Sequence, residues 1–476
     1  MSWEIVMGLE VHAELSTKTK IFCGCPNDFG GAPNTHVCPI CSGMPGTLPV
    51  LNRAVVEYAV KLGLALDCDI TSPCQFDRKH YFYPDLPAAY QVSQLYVPIC
   101  QNGHIDLDLD GVEKRIHIRQ IHMEEDAGKL IHDPANHRTL MDFNRAGVPL
   151  LEIVSQPDFR SADEVIAYLE QLRETLIYLD ICDGKMQEGS MRVDVNLSIR
   201  RPGGELGVRT EMKNLNSFKA IARAIEYESE RQIDILESGG QLMQQTRRWD
   251  DDRGESYAMR SKENAQDYRY FPDPNLLPIE INAAWMTRLR DSLPELAHQK
   301  RARYVQDYGL SNVEANILTT HRNVSDLFEA LIANSCEPRE TTNLIVVEIM
   351  RLMNAHDTLP ENLNIDTSKL ATLIALVLDD KINRKAYKET IEAVFIDNVD
   401  PETYINDKGL LMVSDDGALA GIVAAVIATN PDAVTDHHNG KPKAFGFLMG
   451  QIMKQLGRSG NPTAAKKALE EKLKET

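Results

Sequence analysis

No run in the chain approaches the roughly 18 consecutive apolar residues that a bilayer-spanning helix needs, and no basic segment leading into a short apolar stretch opens it. A cytoplasmic protein with no membrane partner is expected. Internal repeats and low-complexity tracts are also missing, and 43% hydrophobic with 25% charged residues is ordinary for a globular protein. Positive charge is scarce: 51 Lys and Arg face 70 Asp and Glu, a net charge of -19. That balance excludes a general nucleic-acid coat, because phosphate binding depends on cationic contacts. Any nucleic acid must therefore meet a local basic patch. One exists at the end, where Lys441, Lys443, Lys454, Arg458, Lys466, Lys467, Lys472 and Lys474 face three Glu.

At 476 residues the chain is long enough for several domains. Residues 1–293 are rich in Gly, Pro and short alternating runs, which predicts an α+β domain. Helices are expected at 52–66, after Ser161, where Ser161 and Glu164 form a capping box, and at 217–236, where Phe218, Ile221, Ala222, Ile225, Ile233 and Leu236 recur at helical spacing. After Leu293-Pro294 glycine becomes rare and apolar residues fall at regular intervals, so an all-α domain is expected over 294–405. Residues 406–476 read as a small tail domain of three helices, with turns at Asn430-Pro431, Asn439-Gly440 and 457–462.

Nine cysteines in a reducing compartment do not suggest disulfides, and four have an informative spacing. Cys23 and Cys25 form C-x-C, a twelve-residue loop follows, and Cys38-Pro39-Ile40-Cys41 closes the set. Two close thiolate pairs suit tetrahedral Zn²⁺, and with four Cys ligands such a site is closed and structural. Free or redox-active thiols are the alternative.

Acids, histidines and bases also concentrate in strand-like runs, above all Glu10-Val11-His12 and His122-Met123-Glu124-Glu125-Asp126. Side chains of a strand alternate, so Glu10 and His12 share one face while Leu9 and Val11 share the other. Three consecutive acids repel unless a cation or solvent relieves them. Hard oxygen donors with room for phosphate favour Mg²⁺, although a solvated acidic strand end would give the same run.

Four further motifs carry mixed chemistry. In Arg78-Lys79-His80-Tyr81-Phe82-Tyr83-Pro84-Asp85 two cations and a histidine precede aromatics, a suitable lip for a nucleotide or an RNA end, or else a plain amphipathic strand. In Arg192-Val193-Asp194-Val195-Asn196 the polar residues share one face, pairing a guanidinium for phosphate with a carboxylate for metal. An ordinary half-buried strand reads the same way. Arg209, Glu211 and Lys213 alternate likewise, and Asn214-Leu215-Asn216-Ser217 then opens a helix whose N-terminus offers N–H groups to an anion or is simply capped by Asn216 or Ser217. Met259-Arg260-Ser261-Lys262-Glu263 and Asp267-Tyr268-Arg269-Tyr270-Phe271-Pro272 interleave bases with aromatics, as a stacked base or a structural cluster would require.

Taken in order, these runs resemble the B subunit of the tRNA-dependent amidotransferases, which convert Glu-tRNA(Gln) to Gln-tRNA(Gln) or Asp-tRNA(Asn) to Asn-tRNA(Asn). The match covers 8–12, the cysteine quartet, 78–94, 122–129, Asp142-Phe143-Asn144-Arg145 with Pro149-Leu150-Leu151-Glu152-Ile153-Val154, 188–196, 211–218 and 259–272. In the tail it extends to Gly440-Lys441-Pro442-Lys443-Ala444-Phe445-Gly446-Phe447-Leu448. The departures are Ala88 after Leu86-Pro87, where Lys is expected, Gln245 for Glu before Thr246-Arg247, and Asn275 for Asp.

The resemblance implies a cradle-shaped catalytic domain akin to the glutamine synthetase and guanido kinase fold, then the helical domain and a tail that contacts tRNA. It implies ATP-dependent phosphorylation of the mischarged residue's side-chain carboxylate, then displacement of phosphate by ammonia. By this analogy Glu10, His12, Glu124, Glu125 and Glu211 hold Mg²⁺, and Asp194 is a further candidate. Lys79, Arg192 and Lys213 would hold phosphate, Asn214 would orient it, and Ser217 at the helix start would assist nucleotide binding. His80 would lie near the acceptor end, and Lys441, Lys443, Lys454 and Arg458 would contact tRNA. The sequence shows no Ser-Ser-Lys amidase signature. The implied ammonia source is therefore a partner, the amidase or A subunit, and a small C subunit would complete a heterotrimer. Two other classes fit parts of the pattern: a stand-alone ligase joining ammonia or an amine to a small carboxylic acid, and a non-catalytic zinc scaffold that binds RNA.

Overall fold

A computed structural model describes residues 2–109, 111–261, 268–412, 416–457 and 461–475. The chain is mixed α/β, sheet-rich in its N-terminal part and all-helical after it. It divides into two compact units, Met1–Leu296 and Ala297–Thr476. No helix among the described residues is long and apolar enough to cross a membrane.

The first unit is built on a nine-stranded sheet. Its strands are β1 (Glu4–Glu14), β2 (Asp69–Ile70), β5 (Cys100–Leu109), β6 (Val112–Glu125), β9 (Pro149–Ser155), β10 (Met191–Arg200), β11 (Thr210–Leu215), β12 (Gln245–Asp250) and β13 (Glu255–Ser261). Their order is β13-β12-β11-β10-β1-β9-β6-β5-β2, antiparallel throughout except for the parallel pair β11 and β12. A three-stranded sheet joins β3 (Asp77–His80), β4 (Tyr90–Ser93) and β14 (Phe271–Pro272), and β7 (Lys129–Asp133) pairs with β8 (Arg138–Asp142) as a hairpin.

One face of the large sheet is apolar because every second residue is. Leu9, Val11 and Ala13 of β1, Val193, Val195 and Leu197 of β10 and Met212 of β11 are almost wholly buried. Each such Val, Leu or Met side chain contributes about 1.5–3 kcal/mol when fully buried. Helices α1 (Arg53–Ala65), α2 (Ala162–Tyr178) and α3 (Phe218–Glu237) pack against the sheet, and a fourth, α4 (Ala283–Asp291), packs on α1. All four start at polar side-chain caps: Asn52, Ser161, Ser217 and Asn282 accept from backbone N–H groups of the first turn. The expected capping box at α2 is modified. Ser161 accepts from Glu164 N at 3.2 Å, but the Glu164 carboxylate accepts from the N–H of Arg160, one residue earlier.

The second unit holds two separate apolar cores. Helices from α5 (Ala297–Tyr308) to α12 (Pro401–Asp407) enclose the first, with Phe328, Leu331, Ile345, Leu352 and Leu373 at its centre. The second joins α13 (Asp416–Thr429), α14 (Pro431–His438), α15 (Pro442–Leu456) and α16 (Pro462–Glu475) around Val426, Leu448, Ile452 and Leu469. Among the described residues the tail thus has four helices, not the three expected. The Asn430-Pro431 and Asn439-Gly440 turns bracket a helix of their own, because Pro431 supplies the fixed φ of a first helical residue.

Candidate active site

The other face of the large sheet carries the charge. Antiparallel register sets Glu10 opposite Asp194, and His12 opposite both Arg192 and Glu152, while β11 adds Glu211 beside Asn196 of β10. On β6, Gln120, His122 and Glu124 fall on this face by strand alternation. The result is a cavity of about 340 Å³, lined by Glu10, His12, Glu124, Asp126, Glu152, Asp194 and Glu211 together with Lys79, Arg192 and Lys213. Six carboxylates against three permanent cations leave an excess of negative charge that a divalent cation would balance.

Two groups in the cavity have the donors for one. His12, Glu124 and Glu152 bring their ligand atoms within 4.8 Å of one another, and so do Glu10, Asp194 and Glu211. In the first, His12 Nε2 lies 3.4 Å from Glu124 Oε1 and 3.6 Å from Glu152 Oε2. His122 supports it from behind, its Nε2 2.7 Å from Glu152 Oε2 and its Nδ1 3.4 Å from the Gln120 amide. In the second, Asn196 Nδ2 donates to Glu10 Oε1 at 3.0 Å and Thr246 Oγ1 to Glu211 Oε2 at 2.7 Å. Lys213 Nζ bonds Asp194 and stands 2.9 Å from Glu211. Carboxylate oxygens, joined by one imidazole in the first group alone, suit Mg²⁺ in either group.

Titration follows this crowding. Burial opposes a charge on His12, but hydrogen bonds to Glu124 and Glu152 overcome it and raise the imidazole to about 10. Burial, then the charges of Glu152, Asp194 and Glu211, push the Glu10 carboxyl up. Glu152 is buried too, yet His122 and His12 hold it well below the carboxylate range. The sign for His12 is that of a raised base: in chelator, its contribution to stability is complete below about pH 6.5 and is lost as pH rises through about 10. Thermal melts in chelator should therefore show wild type converging on His12→Gln over that window. A gap that stays constant with pH would contradict this.

Not every expected residue joins the cavity. Glu125 ends β6 on the opposite face from Glu124, because successive side chains alternate, and lies outside both groups. Its Oε1 accepts from Val92 N at 3.0 Å, and it lines a second cavity of about 240 Å³ with Cys41, Ala88 and Asp273. Burial drives its carboxyl up to about 7. His80 faces away from Lys79 and Tyr81 and stacks on Phe271, centroids 4.8 Å apart. Asn214 takes φ +68 at a β-bulge and donates its amide to Trp249 O at 3.0 Å, while Ser217 Oγ is used as the cap of α3. Arg192 reaches the cavity and is held by Asp126 at 2.8 Å. Lys79 Nζ sits 5.0 Å from the Tyr268 ring centroid, a cation–π distance. Arg458 and residues 262–267 of the basic–aromatic motif lie outside the described residues.

Glu152 was not singled out from the sequence. Its signal was a lone acid in the apolar strand Pro149–Ser155, on a face that only register shows to be the charged one.

The cysteine quartet is a separate site. All four Sγ atoms lie within 4.8 Å of one another, and Cys41 Sγ is 3.9 Å from those of Cys25 and Cys38. A tetrahedron with Zn–S of about 2.3 Å has edges of about 3.8 Å, so the four thiols fit Zn²⁺. The Cys38 N–H, 3.2 Å from Cys41 Sγ, adds a donor that favours thiolate.

Comparison with known proteins gives these features a common setting. Residues 5–287 match the family described as GatB/GatE catalytic domain, and residues 326–473 the GatB domain. Similar curated proteins, each named as the B subunit of an aspartyl/glutamyl-tRNA(Asn/Gln) amidotransferase, come from Lachnoclostridium phytofermentans (56% identical), Lachnospira eligens (54%) and Agathobacter rectalis (52%). Each alignment covers 99% of this chain and at least 99% of the relative. The chain belongs to the GatB/GatE family, the B subunits of tRNA-dependent amidotransferases.

Proposed function

We propose that this chain is the subunit that activates and transamidates Glu-tRNA(Gln), Asp-tRNA(Asn) or both. The side-chain carboxylate attacks the γ-phosphorus of ATP and ADP leaves. Ammonia then attacks the acyl carbon, phosphate departs with the former carboxylate oxygen, and a proton is released. The observation that carries the reading is the pair of donor groups, His12/Glu124/Glu152 and Glu10/Asp194/Glu211, facing Lys79, Arg192 and Lys213 in one cavity.

A carboxylate is a poor acyl donor, so its phosphorylation needs charge neutralised around the transferring group. Mg²⁺ in the two donor groups would supply Lewis-acid neutralisation of phosphoryl oxygens. Lys79, Arg192 and Lys213 add fixed positive charge, with Arg192 aimed by Asp126 and Lys213 anchored on Asp194 and Glu211. Thr246, Asn196 and His122 hold the carboxylates in place, the support that fixes ligand orientation. His80, on the far face of β3, is assigned to the wall rather than to the acceptor end.

The wider architecture fits the same reading. The sheet with its open charged face is the cradle of a catalytic domain akin to glutamine synthetase and guanido kinases, over 1–293. Residues 294–405 form the helical domain, and 406–476 the tail, whose Lys441, Lys443 and Lys454 approach tRNA. The cysteine quartet holds structural Zn²⁺. Ammonia comes from the amidase or A subunit, and a small C subunit completes the heterotrimer.

The test is ATP-dependent amide formation by the chain co-expressed with its amidase partner, given Mg²⁺, free ammonium and Glu-tRNA(Gln), Asp-tRNA(Asn) or uncharged tRNA. Turnover only with a mischarged tRNA is expected and selects the substrate. Turnover without tRNA would favour a small-molecule ligase, and none under any condition a non-catalytic scaffold.

A further inference from the structure

Lys20 is completely buried, at 0% exposure. An ammonium taken out of water is strongly destabilising unless an anion or several acceptors replace the solvent. Among the described residues no carboxylate forms an ion pair with it. Its Nζ donates instead to His36 O at 2.7 Å, to Phe143 O at 3.3 Å and to Cys41 Sγ at 3.7 Å. All three ammonium protons are thereby used, and the sulfur of the quartet is the anion available to it.

The position of these acceptors matters as much as their number. His36 belongs to the loop between the two cysteine pairs, whereas Phe143 opens the turn that leads into β9. That turn presses on both partners: a Cβ at Gly147 would meet Cys41 Cβ at 3.4 Å and Lys20 Cδ at 3.6 Å. It is also bonded to the residue after Lys20 and to the one that follows β6, through Ile21 N to Gly147 O and Gly147 N to Asp126 O, each at 3.0 Å. Arg145, inside the turn, donates to Ala127 O and Gly128 O and lies 3.4 Å from the same Asp126 that holds Arg192. A short chain of direct contacts therefore runs from Cys41 through Lys20 to the wall of the carboxylate cavity.

We propose that Lys20 is the positioning residue of the cysteine site, a built-in counter-ion that neutralises thiolate charge at Cys41 and ties the metal-loaded knuckle to the 143–147 turn. Four thiolates around one divalent cation carry a net charge of −2 in a part-buried setting. A fixed ammonium removes half of it without solvent. The inference rests on the metal reading of the quartet and not on the amidotransferase reading.

The experiment is zinc affinity by competition with a chromophoric chelator, on the full chain as wild type, Lys20→Met and Lys20→Gln. Met keeps the apolar stem and removes the charge, and Gln restores N–H donors without it. Both variants are expected to bind zinc about 10–100-fold more weakly than wild type, the range typical of lost support behind a metal ligand. Affinity within twofold of wild type in Lys20→Met would reduce Lys20 to a packing strut and overturn the proposal. Recovery in Lys20→Gln alone would overturn the counter-ion role as well. Wild-type protein that takes up no zinc would instead overturn the metal reading beneath it. Should neither variant fold, hydrogen exchange on wild type decides: stripping zinc should speed exchange at 143–147 together with the knuckle, and a change confined to 23–41 would overturn the link.

Discussion

Replacing His12 by Ala is expected to lower ATP-dependent amide formation by about 10³-fold while tRNA affinity stays within a factor of two. His12 is the only nitrogen donor of its group and stands between Glu124 and Glu152. Without it those carboxylates lose a ligand geometry and, in the metal-free state, one of the two imidazoles beside them, His122 being the other. Loss of metal-borne charge stabilisation at a transferring phosphoryl is worth several kcal/mol, and about 4 kcal/mol corresponds to about 10³ in rate. Glu124→Gln and Glu152→Gln are expected to act similarly and not to add to His12→Ala, since the three form one unit. Glu125→Gln should leave metal affinity nearly unchanged, because its side chain faces the other cavity. Metal titrations and phosphate release, read beside tRNA binding, separate these effects. A parallel loss of tRNA binding and turnover in His12→Ala would contradict the assignment.

Charge reversal in the tail should have the opposite profile. Lys443 and Lys454 are both exposed on α15 and lie eleven residues apart, three helical turns, which puts them on one face. Exposed Phe447 lies between them, while Lys441 is already paired with Asp436 at 2.7 Å. On a chain of net charge -19, such a face is where a polyanion would be admitted. Lys443→Glu with Lys454→Glu is expected to weaken tRNA binding about tenfold and to lower the salt dependence by roughly one unit of slope for each phosphate no longer neutralised. Turnover at saturating tRNA should be unchanged. Unaltered affinity would remove this face from the account, and a fall in turnover at saturation would place it elsewhere in the mechanism.

Much of the catalytic unit was legible from its alternation. Glu10, His12, Asp194, Glu211, Arg192 and Lys213 could be put on one face of their strands because the residues between them are Val11, Val193 and Met212. Pairing was not legible. Nothing local says that β9 lies between β1 and β6, and this alone brings Glu152 to His12. The acidic run at 124–126 misled for the reverse reason: three neighbours in sequence read as one cluster, yet a strand divides them and sends Glu125 across the sheet. Asn214 and Ser217 were read as ligand-binding residues where the backbone itself uses them, one to hold a bulge and one to cap a helix. Ser217 satisfies an N–H that a helix start leaves open, and Asn214 the Trp249 carbonyl of β12 beside the bulge. Lys20 gave no sequence signal at all, since nothing in Lys18-Thr19-Lys20 sets it apart from its neighbour Lys18.

The most direct test of phosphoryl activation uses Glu-tRNA(Gln) or Asp-tRNA(Asn) with ¹⁸O in the side-chain carboxylate, ATP, Mg²⁺ and ammonium. Because the carboxylate oxygen attacks phosphorus and leaves with it, one ¹⁸O should appear in inorganic phosphate for each amide formed. Amide formation with unlabelled phosphate would mean that ATP is hydrolysed by water and the carboxylate is never phosphorylated, which would contradict the account.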